Sequence, residues 1–252
     1  MNDRSRNIDI NCDLGESYGY FRVGQDEILF PYLSSCNIAC GFHGGDPLHM
    51  RRTVQLAIRH GVRIGAHPGY ADLAGFGRKY QKLSPEELTA LIIYQIGALQ
   101  AMCTSLGTQL HYVKPHGALY NHIAWHQEDA LVVIAAIQSI DSSLALMGLA
   151  GSPLVGWAQE AGIAFIAEAF IDRVYEGDGR LRSRQLAGAV ITDPEQAVRQ
   201  VRQLVQGNYV IASTGEKIHV QADTFCIHGD NPAAAEIVQA IRGADLMRSE
   251  LR

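Results

Sequence analysis

The sequence lacks the short motifs by which many nucleotide-binding and redox proteins are recognised. Its 252 residues contain no GxxxxGK[ST] and no GxGxxG segment, so neither a phosphate-binding P-loop nor a dinucleotide-binding turn is predicted. The five cysteines are odd in number and contain no CxxC pair. This pattern does not predict a disulfide scaffold and is typical of a protein of the reducing cytoplasm.

The sequence also lacks an excess of positive charge and a long apolar run. Its net charge is −5 and its isoelectric point is about 6.0, which excludes nucleic acid and anionic membranes as expected partners. No uninterrupted apolar run reaches about 18 residues, so no membrane-spanning helix is predicted. The start, MNDRSRNID, has no apolar signal-peptide core. We expect a cytoplasmic protein.

Prolines preceded by capping side chains mark predicted helix starts. Such side chains accept hydrogen bonds from a first helical turn, where proline needs no donor. The five pairs are Asp46-Pro47, Ser84-Pro85, Ser152-Pro153, Asp193-Pro194 and Asn231-Pro232. Glu87 completes a predicted capping box with Ser84. Glycines at 61, 107, 162 and 207 are predicted to end helices.

Short runs that are apolar at nearly every position lie between these helices. Such runs are typical of strands buried on both faces of a parallel sheet. We predict strands at 8–12, 35–42, 62–66, 110–114, 144–149, 163–169 and 224–228. The alternation predicts one α/β domain over 1–252, a (β/α)7-type barrel with a small β-hairpin inserted at 209–222. A doubly wound open sheet is the alternative.

Polar and titratable residues follow nearly every predicted strand. In β/α barrels the carboxyl ends of the strands meet at one face, where active sites lie. A single histidine there would carry little weight, but several on different strands predict one pocket. The residues are Asn11, Asp13, Glu16, His43, His67, Lys114, His116, Glu168, Asp172, Arg173, His228 and Asp230, with Asp223 just before the last strand.

Two glycine loops resemble each other, at 43–47 and 228–232. Backbone N–H groups in such loops, at a helix start, can hold a carboxylate or phosphate, which makes Gly44 and Gly45 candidate binding residues. The alternative is that the glycines only permit tight turns. Arg78 could meet a substrate carboxylate or could simply be solvated.

Carboxylates, imidazoles and one lysine favour hydrolysis by general acid–base catalysis. Lys114 could stabilise a developing oxyanion. Asp13, His43 and His67 could instead hold a divalent metal that activates water. The cysteines in or beside strands are interpreted as buried thiols rather than nucleophiles.

Six segments strongly resemble the LamB/YcsF family along essentially the whole chain. They are NCDLGES (11–17), NIACGFHGGDP (37–47), GAHPGYADLAGFGR (65–78), VKPHGALYN (113–121), AEAFIDRVYEGDG (167–179) and QADTFCIHGD (221–230). Cys36 departs mildly from the family pattern. The resemblance implies a glycoside hydrolase/deacetylase-like barrel. It also implies ATP-dependent opening of the 5-oxoproline lactam to L-glutamate, together with partner subunits B and C.

Because the chain has no ATP motif, we expect ATP to bind mainly through the partners. This chain would then add water to a phosphate-activated ring. Asp13 or Glu16 would be the base, His43, His67 and His116 acid or orienting groups, and Lys114 would lie near the oxygen. Two alternatives stay open: a stand-alone metal-dependent deacetylase or glycosidase, and a non-catalytic regulatory subunit.

Overall fold

Seven parallel strands close into a barrel in the computed structural model, which describes residues 8–244 and residue 246. In barrel order they are β1 (Ile10–Leu14), β2 (Ser35–Ala39), β3 (Arg63–His67), β4 (Tyr112–Val113), β5 (Ala145–Leu149), β6 (Phe165–Phe170) and β9 (Thr224–His228). Pairing of β1 with β9 closes the barrel and sets Asp13 opposite His228. The predicted barrel is confirmed, and the open-sheet alternative is wrong.

The predicted inserted hairpin is also confirmed. Its antiparallel strands are β7 (Tyr209–Ile211) and β8 (Lys217–His219), and Gly215 takes a positive φ of 88° in the turn. Positive φ is a conformation that glycine adopts without steric cost. Residues 1–7, which hold most of the start that lacks a signal-peptide core, lie outside the described residues.

Eight helices occur among the described residues, and a 3₁₀ turn at Phe30–Tyr32 follows the first of them. They are α1 (Asp26–Leu29), α2 (Pro47–His60), α3 (Pro85–Ser105), α4 (Gly117–Ile123), α5 (Gln127–Ile140), α6 (Leu154–Glu160), α7 (Pro194–Gly207) and α8 (Ala234–Gly243).

Three of the five predicted caps form. The Asp46 and Asp193 side chains accept backbone N–H bonds at the starts of α2 and α7, and Ser84 forms the predicted capping box. The Ser152 prediction is wrong, because its hydroxyl donates to the Leu149 carbonyl. The Asn231 prediction is wrong because α8 begins three residues later, at Ala234.

Helix ends follow the glycine prediction with one exception. Gly61 takes the left-handed conformation after α2, and Gly107 and Gly162 also have positive φ. After α7 the left-handed residue is Asn208, with φ of 52°, rather than Gly207. Asparagine tolerates this conformation better than other residues with a Cβ.

Helix α3 is long and apolar enough, by length and composition alone, to cross a membrane. The sequence-based prediction of no membrane-spanning helix relied on uninterrupted apolar runs. It did not identify α3, because polar residues interrupt the apolar sequence of this helix. Its buried face, Leu88, Ile92, Ile96 and Leu99, packs into the core. Core helices of soluble proteins pass the same test.

A tyrosine lies across a glycine on the neighbouring strand β3. The Tyr112 hydroxyl reaches Asn37 Oδ1 at 2.7 Å, and its ring occupies the space beside Gly65, where an added Cβ would lie 2.1 Å from a ring carbon. Asn37 in turn donates to Asp13 Oδ1 at 2.7 Å. Gly65 therefore makes room for a tyrosine that supports the setting of Asp13.

We expect Gly65→Ala to lower the free energy of unfolding by about 1–3 kcal/mol, because the new methyl group overpacks this contact. Gly97→Ala in α3 is the matched control, since nothing lies within 4 Å of its added Cβ. The control should be neutral or stabilising by up to about 1 kcal/mol. Urea unfolding of both variants tests this, and equal stabilities would contradict it.

Candidate active site

A buried lysine lies between two carboxylates near the carboxyl ends of three strands. Lys114 Nζ is 2.8 Å from Asp13 Oδ1 and 2.8 Å from Glu168 Oε1. We call Asp13, Lys114 and Glu168 the lysine triad. It is formed because Asp13 lies on β1 and Glu168 on β6, while Lys114 directly follows β4. Lys114 also donates to Cys226 Sγ at 3.1 Å.

The ion pair between Lys114 and Asp13 keeps both of these groups charged. Burial alone would lower the pKa of Lys114, but Asp13 and the other neighbours hold that pKa well above its usual value. Burial alone would raise the pKa of Asp13, but His67 and Lys114 hold it well below the usual range. The site therefore offers a fixed ammonium group in a water-poor setting, where charge acts strongly.

Four other buried side chains form what we call the histidine cluster: Glu16, His43, His67 and His116. One possible ligand atom from each lies within 4.8 Å of the others. The His43 and His116 rings stack with centroids 3.7 Å apart. Within residues 8–244, neither ring nitrogen of His43 has a hydrogen-bond partner. An unpartnered, fully buried imidazole is costly, and a bound cation would offset that cost.

Burial keeps two of the cluster imidazoles, His43 and His116, neutral. It lowers the pKa of His43 to about 3, and burial followed by His43 and His67 lowers that of His116 well below its usual value. Burial and Asp13 raise the pKa of Glu16 to about 8. Neutral imidazole is the form that binds metals, so the donor set fits a divalent cation.

The cluster differs from the metal trio expected from the sequence. His43 and His67 belong to it, but Asp13 lies beside it, with Oδ2 3.4 Å from His67 Nε2. Glu16 and His116 complete the set instead.

His228 and Asp172 form a second titratable pair. His228 Nδ1 is 2.8 Å from Asp172 Oδ1; because a carboxylate only accepts, Nδ1 carries the hydrogen and Nε2 is left as the acceptor. Asp172 also accepts from Asn231. Burial would raise the pKa of Asp172, but His228 and these hydrogen bonds lower it. This His228–Asp172 dyad has the form of a general acid–base pair.

A cavity of about 690 Å³ opens above these groups. Asp13, His67, Lys114, His116 and His228 contribute to its lining, and its walls carry a marked excess of positive charge. The wall cations are Arg78, Lys79, Arg173, Arg180, Arg182 and Arg184. A cavity in which positive side chains outnumber negative ones favours an anionic ligand.

Three wall arginines, Arg180, Arg182 and Arg184, were not predicted from the sequence, although their alternate spacing in GRLRSR (179–184) was an available signal. Asn37, whose amide positions Asp13, was not predicted either.

Of the other residues predicted for the site, two help to hold the cavity wall and one lies away from the cavity. Asp230 pairs with Arg78 at 2.5 Å and with Arg184 at 3.3 Å, so it fixes two wall arginines. Arg173 is buried and donates to the carbonyls of Ala189 and Arg182. The placement of Asp223 in the site is wrong: it precedes β9, at the opposite end of the strand from His228, and binds the Ala167 amide.

The glycine loop at 43–47 packs closely on the loop that carries Glu16. A Cβ on Gly44 would lie 2.6 Å from the Glu16 carbonyl oxygen, and one on Gly45, which has φ of 80°, would lie 2.7 Å from the Ala39 carbonyl oxygen. The close approach explains both glycines without an anion.

Residues 15–19 have the spacing GxSxG of a nucleophile elbow. The Ser17 hydroxyl is instead bonded to the backbone of Val23, and the next helix begins only at Asp26. We assign Ser17 no nucleophilic role. All five cysteines are free and buried, and burial agrees with the prediction for the four in or beside strands.

Fold and site together define an enzyme-like β/α barrel, with titratable side chains gathered at the carboxyl ends of its strands. The LamB/YcsF family model matches residues 8–249. The chain belongs to the LamB/YcsF family, as the resemblance predicted.

Relatives in this family carry a common name. The A subunit of 5-oxoprolinase from Heliobacterium modesticaldum is 53% identical over 237 residues, which cover 94% of this chain and 93% of the relative. The Acinetobacter baylyi protein of the same name is 50% identical, with 94% and 93% covered.

Solved structures agree with the fold. A lactam utilization protein from Thermus thermophilus superposes with a TM-score of 0.87 at 44% identity, covering 96% of this chain and 99% of that one. A putative cellobiose-phosphate cleavage protein from Enterococcus faecalis has a TM-score of 0.55 at 12% identity, with 96% of each chain covered. The latter likeness shows the fold alone.

Proposed function

We propose that this chain is the A subunit of a 5-oxoprolinase and hydrolyses the 5-oxoproline lactam to L-glutamate, driven by ATP, together with subunits B and C. The names of relatives at about 50% identity support the assignment. The observation that carries it is the lysine triad beneath an arginine-walled cavity. This arrangement suits an anionic substrate at which an oxygen gains negative charge during the reaction.

The substrate carboxylate, or a phosphate on the activated ring, would meet the wall arginines. Arginine binds both groups through paired N–H donors. The sequence contains no P-loop, so ATP would bind mainly on the partners B and C. This chain would then receive a ring whose carbonyl oxygen already carries phosphate.

Activation is needed because the lactam amide is resonance-stabilised. Water adds to the activated carbonyl carbon, and the His228–Asp172 dyad takes the proton from that water. The ring C–N bond then breaks as the added hydroxyl becomes the carbonyl of an acyl phosphate, and the departing nitrogen takes both protons of that water, one from His228 and one from the hydroxyl, to become the amino group. A second water hydrolyses the resulting acyl phosphate to glutamate and phosphate.

The remaining residues stabilise charge that develops in the reaction or hold other site residues in position. Lys114 stabilises the oxygen of the added water, which gains negative charge as it loses its protons, and Asp13 and Glu168 hold Lys114 in place. Glu16, His43, His67 and His116 are the residues that would hold a divalent cation, which when bound supplies Lewis acidity and lowers the pKa of water. These roles differ from the sequence-based assignment of Asp13 or Glu16 as base, because Asp13 is paired with Lys114.

The test measures 5-oxoproline-dependent glutamate and ADP in three mixtures: this chain alone, this chain with B and C, and B and C alone. We expect both products only in the complete mixture. Glutamate formed by B and C alone would reduce this chain to a regulatory role, which would overturn the proposal. The partners are checked for folding by circular dichroism.

The histidine cluster favours one second candidate, a metal-dependent deacetylase on the same barrel. Release of acetate from acetylated sugars by this chain alone, with no glutamate in the complete mixture, would support it instead. An acid–base dyad and a cluster of imidazoles serve either reaction, so substrate turnover decides between them.

A further inference from the structure

Two histidine nitrogens of the cluster face each other as acceptors. His67 Nδ1 lies 2.7 Å from the Lys114 carbonyl oxygen, and His116 Nε2 lies 2.8 Å from that of Phe76. Carbonyl oxygens only accept, so these nitrogens carry the ring hydrogens. The opposite nitrogens, His67 Nε2 and His116 Nδ1, are then lone pairs only 2.9 Å apart.

A shared proton would satisfy those two nitrogens but would leave the rest of the cluster unsatisfied. His43 is completely buried, and neither of its nitrogens has a hydrogen-bond partner among the described residues. Glu16 Oε1 is 3.4 Å from both His43 Nε2 and His116 Nδ1, beyond good hydrogen-bond distance. A cation accepts electron pairs from all four side chains at once.

We propose that Glu16, His43, His67 and His116 bind one divalent transition-metal ion of the zinc type. Three imidazoles and one carboxylate suit zinc and its neighbours, whereas magnesium and calcium prefer oxygen ligands throughout. Four strands supply the site, since Glu16, His43 and His116 follow β1, β2 and β4 and His67 ends β3.

The hydrogen bonds that His67 and His116 donate to backbone carbonyl oxygens hold these two rings in place. Such bonds fix the tautomer and the ring orientation of metal-binding histidines. Phe76 adopts a positive φ of 55°, rare for a residue with a side chain, and its carbonyl accepts from His116.

The ion would be reachable from the cavity. His67 and His116 line the cavity that also exposes Lys114 and His228. The proposal deepens the proposed function and rests on it for the catalytic use of the ion, but metal binding itself is measured independently.

The test titrates chelator-treated full-length protein with Zn²⁺ and with Co²⁺. We expect one ion per chain, a visible Co²⁺ absorption spectrum of a nitrogen- and oxygen-ligated site, and a higher Tm with Zn²⁺. His43→Gln and His67→Gln should each weaken Zn²⁺ binding by about 10²-fold or more. Loss of a residue that only hydrogen-bonds to a metal ligand costs about 10–100-fold in metal affinity, and loss of a ligand itself should cost at least the upper end of that range.

His122→Gln is the matched control, because His122 lines the same cavity outside the cluster; it should bind Zn²⁺ like the wild type. Cys226→Ser tests the other grouping of metal-ligand-type residues, Asp13, Cys226 and His228, and should also leave binding unchanged. Loss of binding in Cys226→Ser but not in His43→Gln would overturn the proposal, as would a wild type that is folded by circular dichroism yet binds no ion.

The two proposals fail in different ways. One bound ion per chain without glutamate formation in the complete mixture rejects the proposed function and leaves the site. Glutamate formation by chelator-treated protein that binds no Zn²⁺ rejects the site and leaves the function.

Discussion

Replacing Lys114 by methionine is expected to remove activity and to lower the free energy of unfolding by about 3–5 kcal/mol, the usual effect of breaking a buried ion pair from one side. The methionine leaves Asp13 and Glu168 facing each other without their shared cation. Turnover should fall by about 10²-fold or more, because the charge that stabilises the developing oxyanion is lost.

A second substitution separates the two effects. In Lys114→Met/Glu168→Gln one of the uncompensated carboxylates is gone, so stability should recover in part while turnover stays low. Urea unfolding and glutamate formation in the complete mixture measure the two quantities. A Lys114→Met protein with wild-type turnover would remove the lysine triad from the mechanism.

Disabling the dyad is expected to cost about 10²–10⁴-fold in kcat, the range of general acid–base catalysis. His228→Gln removes the proton-transfer group. Asp172→Asn retains a side chain of the same size but can present a donor to His228 Nδ1, which would favour the wrong tautomer. Both variants should bind substrate with a nearly unchanged KM, since neither alters the wall arginines.

His122→Gln is again the comparison, because this cavity residue has no place in the proposed proton transfer. Steady-state glutamate formation in the complete mixture gives kcat and KM for all three variants. If His228→Gln kept its kcat, or lost it no more than His122→Gln, the dyad would be structural, and the proton would have to move through another group.

The barrel was predictable because its signals are local. Strands buried on both faces are apolar at most positions, and the Asp46, Ser84 and Asp193 side chains cap helices by accepting from backbone N–H groups two or three residues away. The local signal at Asn231 failed because of the chain path. Its side-chain oxygen does accept from the Ala233 N–H, but α8 begins only at Ala234, and its amide donates to Asp172, 59 positions away.

Only some of the site residues could be predicted from the sequence, because residues a few positions apart can bind entirely different partners. Asp13 and Glu16 are both near the end of β1, yet Asp13 binds Lys114 while Glu16 joins the histidines. Asp223 and His228 flank one short strand and lie at its opposite ends. Strand register and loop path decide such cases, and neither is written in residue spacing.

The pairing of β1 with β9 means that the site depends on a strand that is synthesised after all the other strands of the described part of the chain. Asp13 lies opposite His228 across this closure, so a nascent or shortened chain without β9 contains the whole histidine cluster in sequence but lacks the dyad's histidine. Contacts so distant along the chain form slowly. Appearance of catalytic activity during refolding should therefore report barrel closure itself, later than the gain of helical signal.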